Sequence, residues 1–205
     1  GINANFASTD PEDPRGTFQI TNGILVQKGK TIPLQNIQVV LDNQQGERLA
    51  RIDAPFLKAK ATGTFRYVQL ADVVLTEINR YFALPDVSYK PVTSPYRLSV
   101  DGKIASHPAI QVFAPELTRM DTVRFSVYLD SQRDTTLLMR ISAPHIEYDS
   151  MVVKNADFGV LGVENQANYV GHVDSFLYDT YQIKRAAVEG QVANSLVGFN
   201  ASFKD

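Results

Sequence analysis

Three histidines are the residues of this chain whose type is best suited to metal binding. His107, His145 and His172 are isolated in the sequence, in the settings Ser-His-Pro, Pro-His-Ile and Gly-His-Val. None belongs to a zinc motif, in which ligands recur at fixed short spacings. The sequence therefore predicts surface or strand histidines and no metal site.

Two aspartates could instead form a pair of carboxylates for acid–base chemistry. Asp53 and Asp174 occupy matching places in two similar stretches of the chain. The simpler interpretation is that each carboxylate accepts a hydrogen bond in a turn, before Ala54-Pro55 in one case and Ser175 in the other. No nucleophile elbow, phosphate loop or dinucleotide fingerprint is present. We therefore predict no enzymatic activity, no catalytic residue and no cofactor.

Composition narrows the possible partners. The chain of 205 residues has 20 basic and 22 acidic residues, a net charge of −2. Binding to nucleic acid depends on a surplus of positive charge, so a nucleic-acid partner is not expected. The absence of cysteine excludes disulfides and thiolate sites but does not fix the compartment. The sequence contains no run of about 18 apolar residues, so it predicts no membrane-spanning helix.

The stretch from residue 57 to residue 82 contains both sequence patterns from which we predict secondary structure, one typical of a strand and one typical of a helix. Apolar and polar residues alternate from Leu57 to Tyr67, which predicts one long strand with an apolar and a polar face. From Leu70 to Phe82 the apolar residues recur at helical spacing instead, which predicts an amphipathic helix. The helix should end before Pro85, because the residue that precedes a proline disfavours helical geometry.

Alternation of the same kind fills most of the remaining chain, with turn signals every 8 to 15 residues or so, as in a meandering antiparallel sheet. We predict an irregular lead-in over residues 1–16 and a single elongated β domain over residues 17–205. The proline-rich stretch 85–95 is a candidate sub-boundary, or simply the segment by which the chain leaves the helix. Asn22-Gly23 lies between short apolar runs and predicts a hairpin.

A faint internal repeat links two parts of the chain about 120 residues apart. One copy contains Leu34-Gln35-Asn36-Ile37 and the other Val153-Lys154-Asn155-Ala156. Each is followed by a strand, a turn and a second strand that begins near Asp53 or Asp174. Such self-similarity suggests an elongated, repetitive β architecture, although independent selection of similar turn residues would also produce it.

The alternating strands have one apolar face, and this face needs a cover. Two sheets could cover each other in a sandwich, or one sheet could close into a barrel. Small and large residues are mixed on the face, for example Ala59, Ala61 and Gly102 beside Phe65 and Phe125. Small residues let a sheet curl or leave space for a guest. A self-covered β core and a gutter completed by an apolar guest both fit the pattern.

Residues 34–104 resemble the repeated unit of TamB-type proteins, in particular the Bacteroidetes branch. The resemblance rests on the strand Ile52-Asp53-Ala54-Pro55-Phe56-Leu57, the Gly63-Thr64-Phe65 that ends its partner, and the helix end Ile78-Asn79-Arg80-Tyr81-Phe82-Ala83-Leu84-Pro85. The strand Tyr96-Arg97-Leu98-Ser99-Val100-Asp101-Gly102-Lys103-Ile104 also fits. Beyond residue 104, only the alternation and the weak repeat support the resemblance.

The resemblance implies a mainly β fold in which long antiparallel strands curl into a half-pipe, or β-taco, with an apolar groove and one amphipathic helix. Candidate lining residues of a lipid groove are the inward residues of the strands: Leu57, Ala59, Ala61, Phe65, Tyr67, Leu98, Val100, Ile104, Val123, Phe125, Val127, Leu129, Leu137, Met139, Ile141, Phe158, Val160, Val197, Phe199 and Phe203. The helix would plug or pack on this groove rather than lie on a membrane, since only Arg80 gives it positive charge.

The resemblance also implies a function. TamB-type proteins are anchored in the inner membrane, cross the periplasm, work with an outer-membrane barrel of the TamA/BamA kind, and are implicated in outer-membrane protein assembly and in phospholipid transport. The chain would then be an internal or C-terminal segment, with phospholipid and adjacent segments of the full-length chain as partners. The alternative is a closed β-sandwich that acts as an adhesin-like binding module through its loops.

Overall fold

The computed structural model describes residues 1–10, 12–27 and 29–204. Its elements, in chain order, are β1 (Ile2–Ser8), β2 (Arg15–Gln27), β3 (Lys30–Gln44), β4 (Glu47–Asp53), β5 (Leu57–Thr64), a 3-10 turn (Tyr67–Gln69), α1 (Leu70–Tyr81), β6 (Arg97–Ile104), a second 3-10 turn (Ile110–Val112), β7 (Leu117–Met120), β8 (Val123–Asp130), β9 (Thr135–Tyr148), β10 (Met151–Val163), β11 (Gln166–Tyr178), β12 (Tyr181–Ala193) and β13 (Leu196–Lys204).

The strands form one antiparallel sheet in which almost every strand pairs with its neighbours in sequence. Strand β7 is the exception. It pairs with residues 146–148 of β9, whereas β8 pairs with residues 137–142 of the same strand. The sheet is open, with β1 and β13 at its edges. The mainly β fold of long antiparallel strands with one amphipathic helix is thus confirmed, and its open, curled form fits a half-pipe. The closed-sandwich alternative is wrong for the described residues.

Four local predictions were wrong. The stretch 1–16 is not an irregular lead-in throughout, because Ile2–Ser8 pairs with β2 as an edge strand. Asn22-Gly23 makes no hairpin and lies inside the continuous strand Arg15–Gln27. Strand β5 ends at Thr64 rather than at Tyr67. The stretch 85–95 does not separate domains, because β5 and β6 pair directly across it, Thr64 opposite Arg97.

Helix α1 forms close to its predicted position, between β5 and β6. No side chain caps its first turn, in agreement with the missing N-cap signal. Its end is set at Phe82, which is extended with φ −141° and ψ 113°, shortly before Leu84-Pro85. We call the end of the sheet where β5 stops and α1 begins the helix end, and the opposite end the far end.

The long strands bend sharply at one level of the sheet. Pro144, Asn155, Asp174 and Arg185 lie there on β9 to β12, and we call them the corner row. Asn155 and Arg185 have φ angles of 51° and 48°, in the left-handed region. The register is regular on both sides: Ala143 pairs with Ala156 and His145 with Lys154, and the neighbouring strands continue both rows.

The bend keeps apolar residues on one side. The row Ala143, Ala156, Val173 and Ala186 lies on one side of the corner row, and Ile146, Val153, Phe176 and Ile183 lie on the other. These rows are three residues apart, so a regular strand would place them on opposite faces. All of them are buried or half-buried, whereas the corner row is exposed. The left-handed residues therefore reverse the alternation, as in a bulge, and the apolar rows lie inside the bend.

The same device occurs in the N-terminal strands and gives the internal repeat a structural meaning. Asn22 and Gln35 have φ angles of 51° and 53°. Leu34 and Ile37, on either side of the bend in β3, are half-buried, as are Val153 and Ala156 in β10. The two copies of the sequence repeat thus coincide with the two places where strands turn this corner.

Candidate functional site

The apolar face was predicted from alternation, and the strand register shows that its residues share one side of the sheet. A single row of directly opposed residues crosses eight strands of the meander from β5 to β13: Ala61, Val100, Val127, Met139, Val160, Tyr169, Gly190 and Phe199. The rows on either side, through Leu98, Leu129 and Leu137 or through Phe125, Ile141 and Phe158, belong to the same face. We call this surface the apolar face.

Helix α1 covers the apolar face only near the helix end. Val73 packs there with Phe65, Tyr96, Leu98 and Leu129, and this cluster is almost entirely buried. Three of the candidate groove residues, Phe65, Leu98 and Leu129, are thus part of the protein core. Tyr67, also a candidate, packs edge-to-face on Phe65, and its hydroxyl lies 2.9 and 2.8 Å from the carbonyl oxygens of Asp42 and Leu49.

The side of the helix that meets the sheet holds a polar network. The Glu77 carboxylate is 2% exposed and accepts a hydrogen bond from the phenol of Tyr96. The guanidinium of Arg80 lies 3.2 Å from the same carboxylate and balances its charge. Burial raises the pKa of the Tyr96 phenol, and the hydrogen bond to Glu77 raises it further. These contacts fix the helix in one orientation, since a buried carboxylate without partners would be costly.

A loop covers the second side of the helix. Asp72, Thr76 and Asn79 accept hydrogen bonds from the backbone N–H groups of Lys90, Val92 and Leu84, at 3.0, 3.1 and 3.0 Å. The polar residues opposite the predicted apolar arc therefore anchor the segment that returns to β6. They are not a solvated helix face.

The third side of the helix is apolar and uncovered. Val74, Ile78 and Phe82 follow one another at four-residue intervals and are 42%, 39% and 38% exposed. We call these residues the helix stripe. The sequence placed them in the same arc as Val73 and Tyr81, because the apolar arc of this helix is wide. Only part of that arc packs on the sheet, and the remainder is left exposed.

The apolar face has no cover towards β13. Phe158 on β10 is 37% exposed, and Val197, Phe199 and Phe203 on β13 are 54%, 68% and 64% exposed. The helix reaches this side only through its C-terminal end, where the N–H of Ser195 donates to the carbonyl of Tyr81 at 3.1 Å and the N–H of Ala83 donates to Oγ of Ser195 at 3.0 Å. An apolar surface is thus left open on this side of the sheet.

Small residues on the apolar face do not leave empty space. A Cβ at Gly102 would lie 2.4 Å from the ring of Phe125, and a Cβ at Gly190 would lie 2.6 Å from the hydroxyl of Tyr169. Neighbouring aromatic side chains therefore fill the room that these glycines provide. Any guest would lie on the surface of the face and not in holes within it.

A cavity of about 1130 Å³ lies on the opposite face of the sheet. On each strand from β8 to β13 the lining is a run of three consecutive residues. The outer two, for example Ser126 and Tyr128 on β8, are out of phase with the apolar face, and the middle one belongs to the row of that face. Among the candidate groove residues, only Val127, Met139, Val160 and Phe199 border it. Alternation could have identified this face as polar, but not as concave. We call this cavity the polar trough.

The residues that could do chemistry are not brought together. Asp53 pairs with Lys58 at 2.7 Å on β4 and β5, whereas Asp174 accepts a hydrogen bond from the amide of Asn155 at 2.8 Å on β11. His145 contacts Glu147 at 2.7 Å and His172 lies 3.7 Å from Asp174. Within the described ranges, no group of three or more His, Cys, Asp or Glu residues is placed to hold a metal ion.

No helix in the described part of the chain has the length and apolar character needed to cross a membrane. Comparison with protein-family models, curated proteins and solved structures found no match for the chain.

Proposed function

We propose that the chain is a segment of a TamB-like, periplasm-spanning protein that provides an apolar groove for phospholipid transport, for outer-membrane protein assembly, or for both. The observation that carries the proposal is the open apolar face between β10 and β13, and we assign the exposed helix stripe to the border of the same groove. Soluble proteins rarely leave a contiguous apolar surface uncovered unless it binds a partner or a lipid. The resemblance of residues 34–104 to the TamB repeat gives independent support.

The physical role of such a surface is to lower a barrier. Each methylene of an acyl chain costs about 0.8 kcal/mol in water, so a chain of ~16 carbons costs roughly 13 kcal/mol. Contact with a row of interchangeable apolar side chains removes much of this cost. No single residue needs to be specific, and no bond is made or broken, so the proposed role is not enzymatic.

The open edges suggest how the groove could continue. Strands β1 and β13 present backbone groups without partners within the sheet, and such edges readily pair with further strands. We assign these edges to adjacent segments of a full-length chain. The outer-membrane partner would be a barrel of the TamA/BamA type. An inner-membrane anchor elsewhere in that chain would place the segment in the periplasm.

Site-specific photocrosslinking tests the proposal. A photoreactive phenylalanine analogue at Phe199 would lie on the open apolar face, and the same analogue at Asn200 would lie next to it on the opposite face. In chain expressed in the periplasm of a Gram-negative host, the site at 199 should capture phospholipid and the site at 200 should not. Equal capture at the two sites, or none at 199, would overturn the proposal of a lipid groove.

A further inference from the structure

The polar trough opens on the opposite face of the sheet from the proposed groove, although Val127, Met139, Val160 and Phe199 border both. Its floor spans the sheet from β6 to β13, and at about 4.8 Å per strand this is roughly 29 Å. One row of directly opposed residues along the floor is Asp101, Ser126, Arg140, Gly159, Val170, Glu189 and Asn200. The trough is therefore long, open and crossed by charged side chains at separated points.

These charges make no direct contact with a partner, although Lys60 on β5 lies opposite Asp101 in the register. No ion pair and no side-chain hydrogen bond among the described residues involves Asp101, Arg140 or Glu189. Elsewhere on the sheet, acidic residues such as Asp53, Glu47 and Asp13 are paired with basic ones. The trough thus offers two carboxylates and one guanidinium to a ligand.

Apolar patches lie between the charges. Leu138 and Leu161 oppose each other on β9 and β10, and with Val170 they are 46%, 41% and 56% exposed on an otherwise polar face. Gly159 and Gly198 border the trough without side chains and deepen it. Amides complete the set, since Asn168 and Gln191 lie at the rim, where both accept from the side chain of Gln166 at 2.8 and 3.0 Å.

The mixture of signs selects the class of ligand. A ligand of uniform charge would be attracted at some points of this row and repelled at others, because Asp101 and Glu189 are acidic and Arg140 is basic. A hydroxyl group both donates and accepts, so neighbouring hydroxyls can pair with carboxylates, a guanidinium and amides in the same trough. The C–H faces of a sugar ring can pack on Leu138 and Leu161. We propose that the polar trough binds a linear, uncharged oligosaccharide.

The experiment uses the whole chain and three probes, namely the hexasaccharides of β-linked glucose, α-linked glucose and β-linked N-acetylglucosamine. Binding is followed by amide chemical shifts of the ¹⁵N-labelled protein. At least one hexasaccharide should shift the backbone signals of Gly159 and Gly198 and the side-chain amides of Asn168, Gln191 and Asn200 in a saturable way. Arg140→Leu and Glu189→Gln should each weaken this binding about tenfold, or ~1.4 kcal/mol.

The matched control is Arg124→Leu, because Arg124 lies on the same face of β8, outside the trough. This variant should bind as the unaltered chain does. The proposal is overturned if no hexasaccharide shifts the trough signals at millimolar concentration, or if Arg124→Leu weakens binding as much as Arg140→Leu. It is also overturned if monomeric dodecylphosphocholine binds the trough more tightly than every hexasaccharide. Phospholipid capture is scored separately, by the crosslinks formed at Phe199.

Discussion

The hydroxyl groups of Tyr81 in helix α1 and Thr136 in strand β9 lie 2.6 Å apart, and both residues are buried. Tyr81 also donates to the carboxylate of Glu77 at a longer distance of 3.5 Å. The polar groups that face the sheet are therefore satisfied by one another, and the helix has one defined position on the apolar face. This position leaves the helix stripe exposed.

Removal of either hydroxyl should loosen the helix. Tyr81→Phe and Thr136→Val are each expected to lower the free energy of unfolding by about 1–2 kcal/mol, because each leaves a buried polar partner with one hydrogen bond fewer. The double variant should cost less than the sum of the two, with a coupling of about 0.5–1.5 kcal/mol. Urea unfolding of the four proteins measures the cycle. Strict additivity would show that the two hydroxyls do not interact.

Alkaline pH should destabilise the protein through its buried phenols. The pKa values of Tyr96 and Tyr81 are raised in the folded state, chiefly by burial. Their stabilising contribution is fully present below the pKa of an unfolded tyrosine, about 10, and is lost as pH rises from there towards the raised folded values. Urea unfolding at pH 8 and at pH values above 10 should show this decrease.

The Tyr96→Phe variant is the control for this decrease. It lacks the phenol with the raised pKa, so its stability should fall less steeply above pH 10 than that of the unaltered chain. At pH 8 it should be less stable by about 1–3 kcal/mol, because the Glu77 carboxylate loses a donor. The same alkaline slope in the two proteins would contradict a role for Tyr96.

The corner row predicts an unusual response to substitution in β12. Arg185 has a φ angle of 48°, which β-branched residues tolerate poorly. Arg185→Val should cost about 1–2 kcal/mol, whereas Arg185→Gly should lie within about 0.5 kcal/mol of the unaltered chain. Lys60→Val, at an exposed position of the regular strand β5, is the control and should be nearly neutral. A harmless Arg185→Val would mean that the bend is not required.

The corner also marks the limit of what the sequence could predict. On β5, β6, β8 and β9 the residues that alternation assigned to one face are directly opposed across the sheet, because each of these strands keeps one phase up to Ile141. At Asn155 or Arg185 a single residue with left-handed backbone angles exchanges the two sets of positions, so that the other set points to the apolar face from there on. Neither residue is a glycine, so composition gives little warning. The repeat of Leu34–Ile37 in Val153–Ala156 was the available signal, but sequence alone could not distinguish a bend from a turn.

The sequence predicted where the helix lies, but not which of its side chains are buried. The helical period located Leu70–Tyr81, yet Glu77 was not expected in the interface because an isolated carboxylate is costly to bury. Its partners Tyr96 and Arg80 lie on a later segment and on the next turn, and only the folded chain brings all three together. The concavity of the polar trough likewise depends on how strands far apart in sequence curve together.

The helix stripe should contribute to lipid binding without contributing to stability. Ile78→Glu places a charge in the proposed groove and should reduce the phospholipid that copurifies with the chain several-fold, because a charge in an apolar site is costly. Its free energy of unfolding should change by about 0.5 kcal/mol or less, as at other exposed positions. Val87→Glu is the control, since Val87 is similarly exposed on the loop after the helix. Equal lipid content in the two variants would exclude the stripe from the groove.

Gly102 on β6 tests whether the small residues of the apolar face provide space for a guest or for the protein itself. A Cβ there would lie 2.4 Å from the ring of Phe125, closer than real Cβ contacts allow. Gly102→Ala should therefore displace the ring and cost about 1–3 kcal/mol by overpacking. Gly198→Ala, whose Cβ would come no nearer than 3.9 Å to Gln191, should cost much less.

Shortening the neighbour in Gly102→Ala/Phe125→Leu should recover part of the loss, so that the two changes are not additive. Urea unfolding of these three variants and of Phe125→Leu alone decides the matter. A neutral Gly102→Ala would mean that the ring leaves free space at Gly102, and the face would then hold a guest within the sheet surface rather than on top of it.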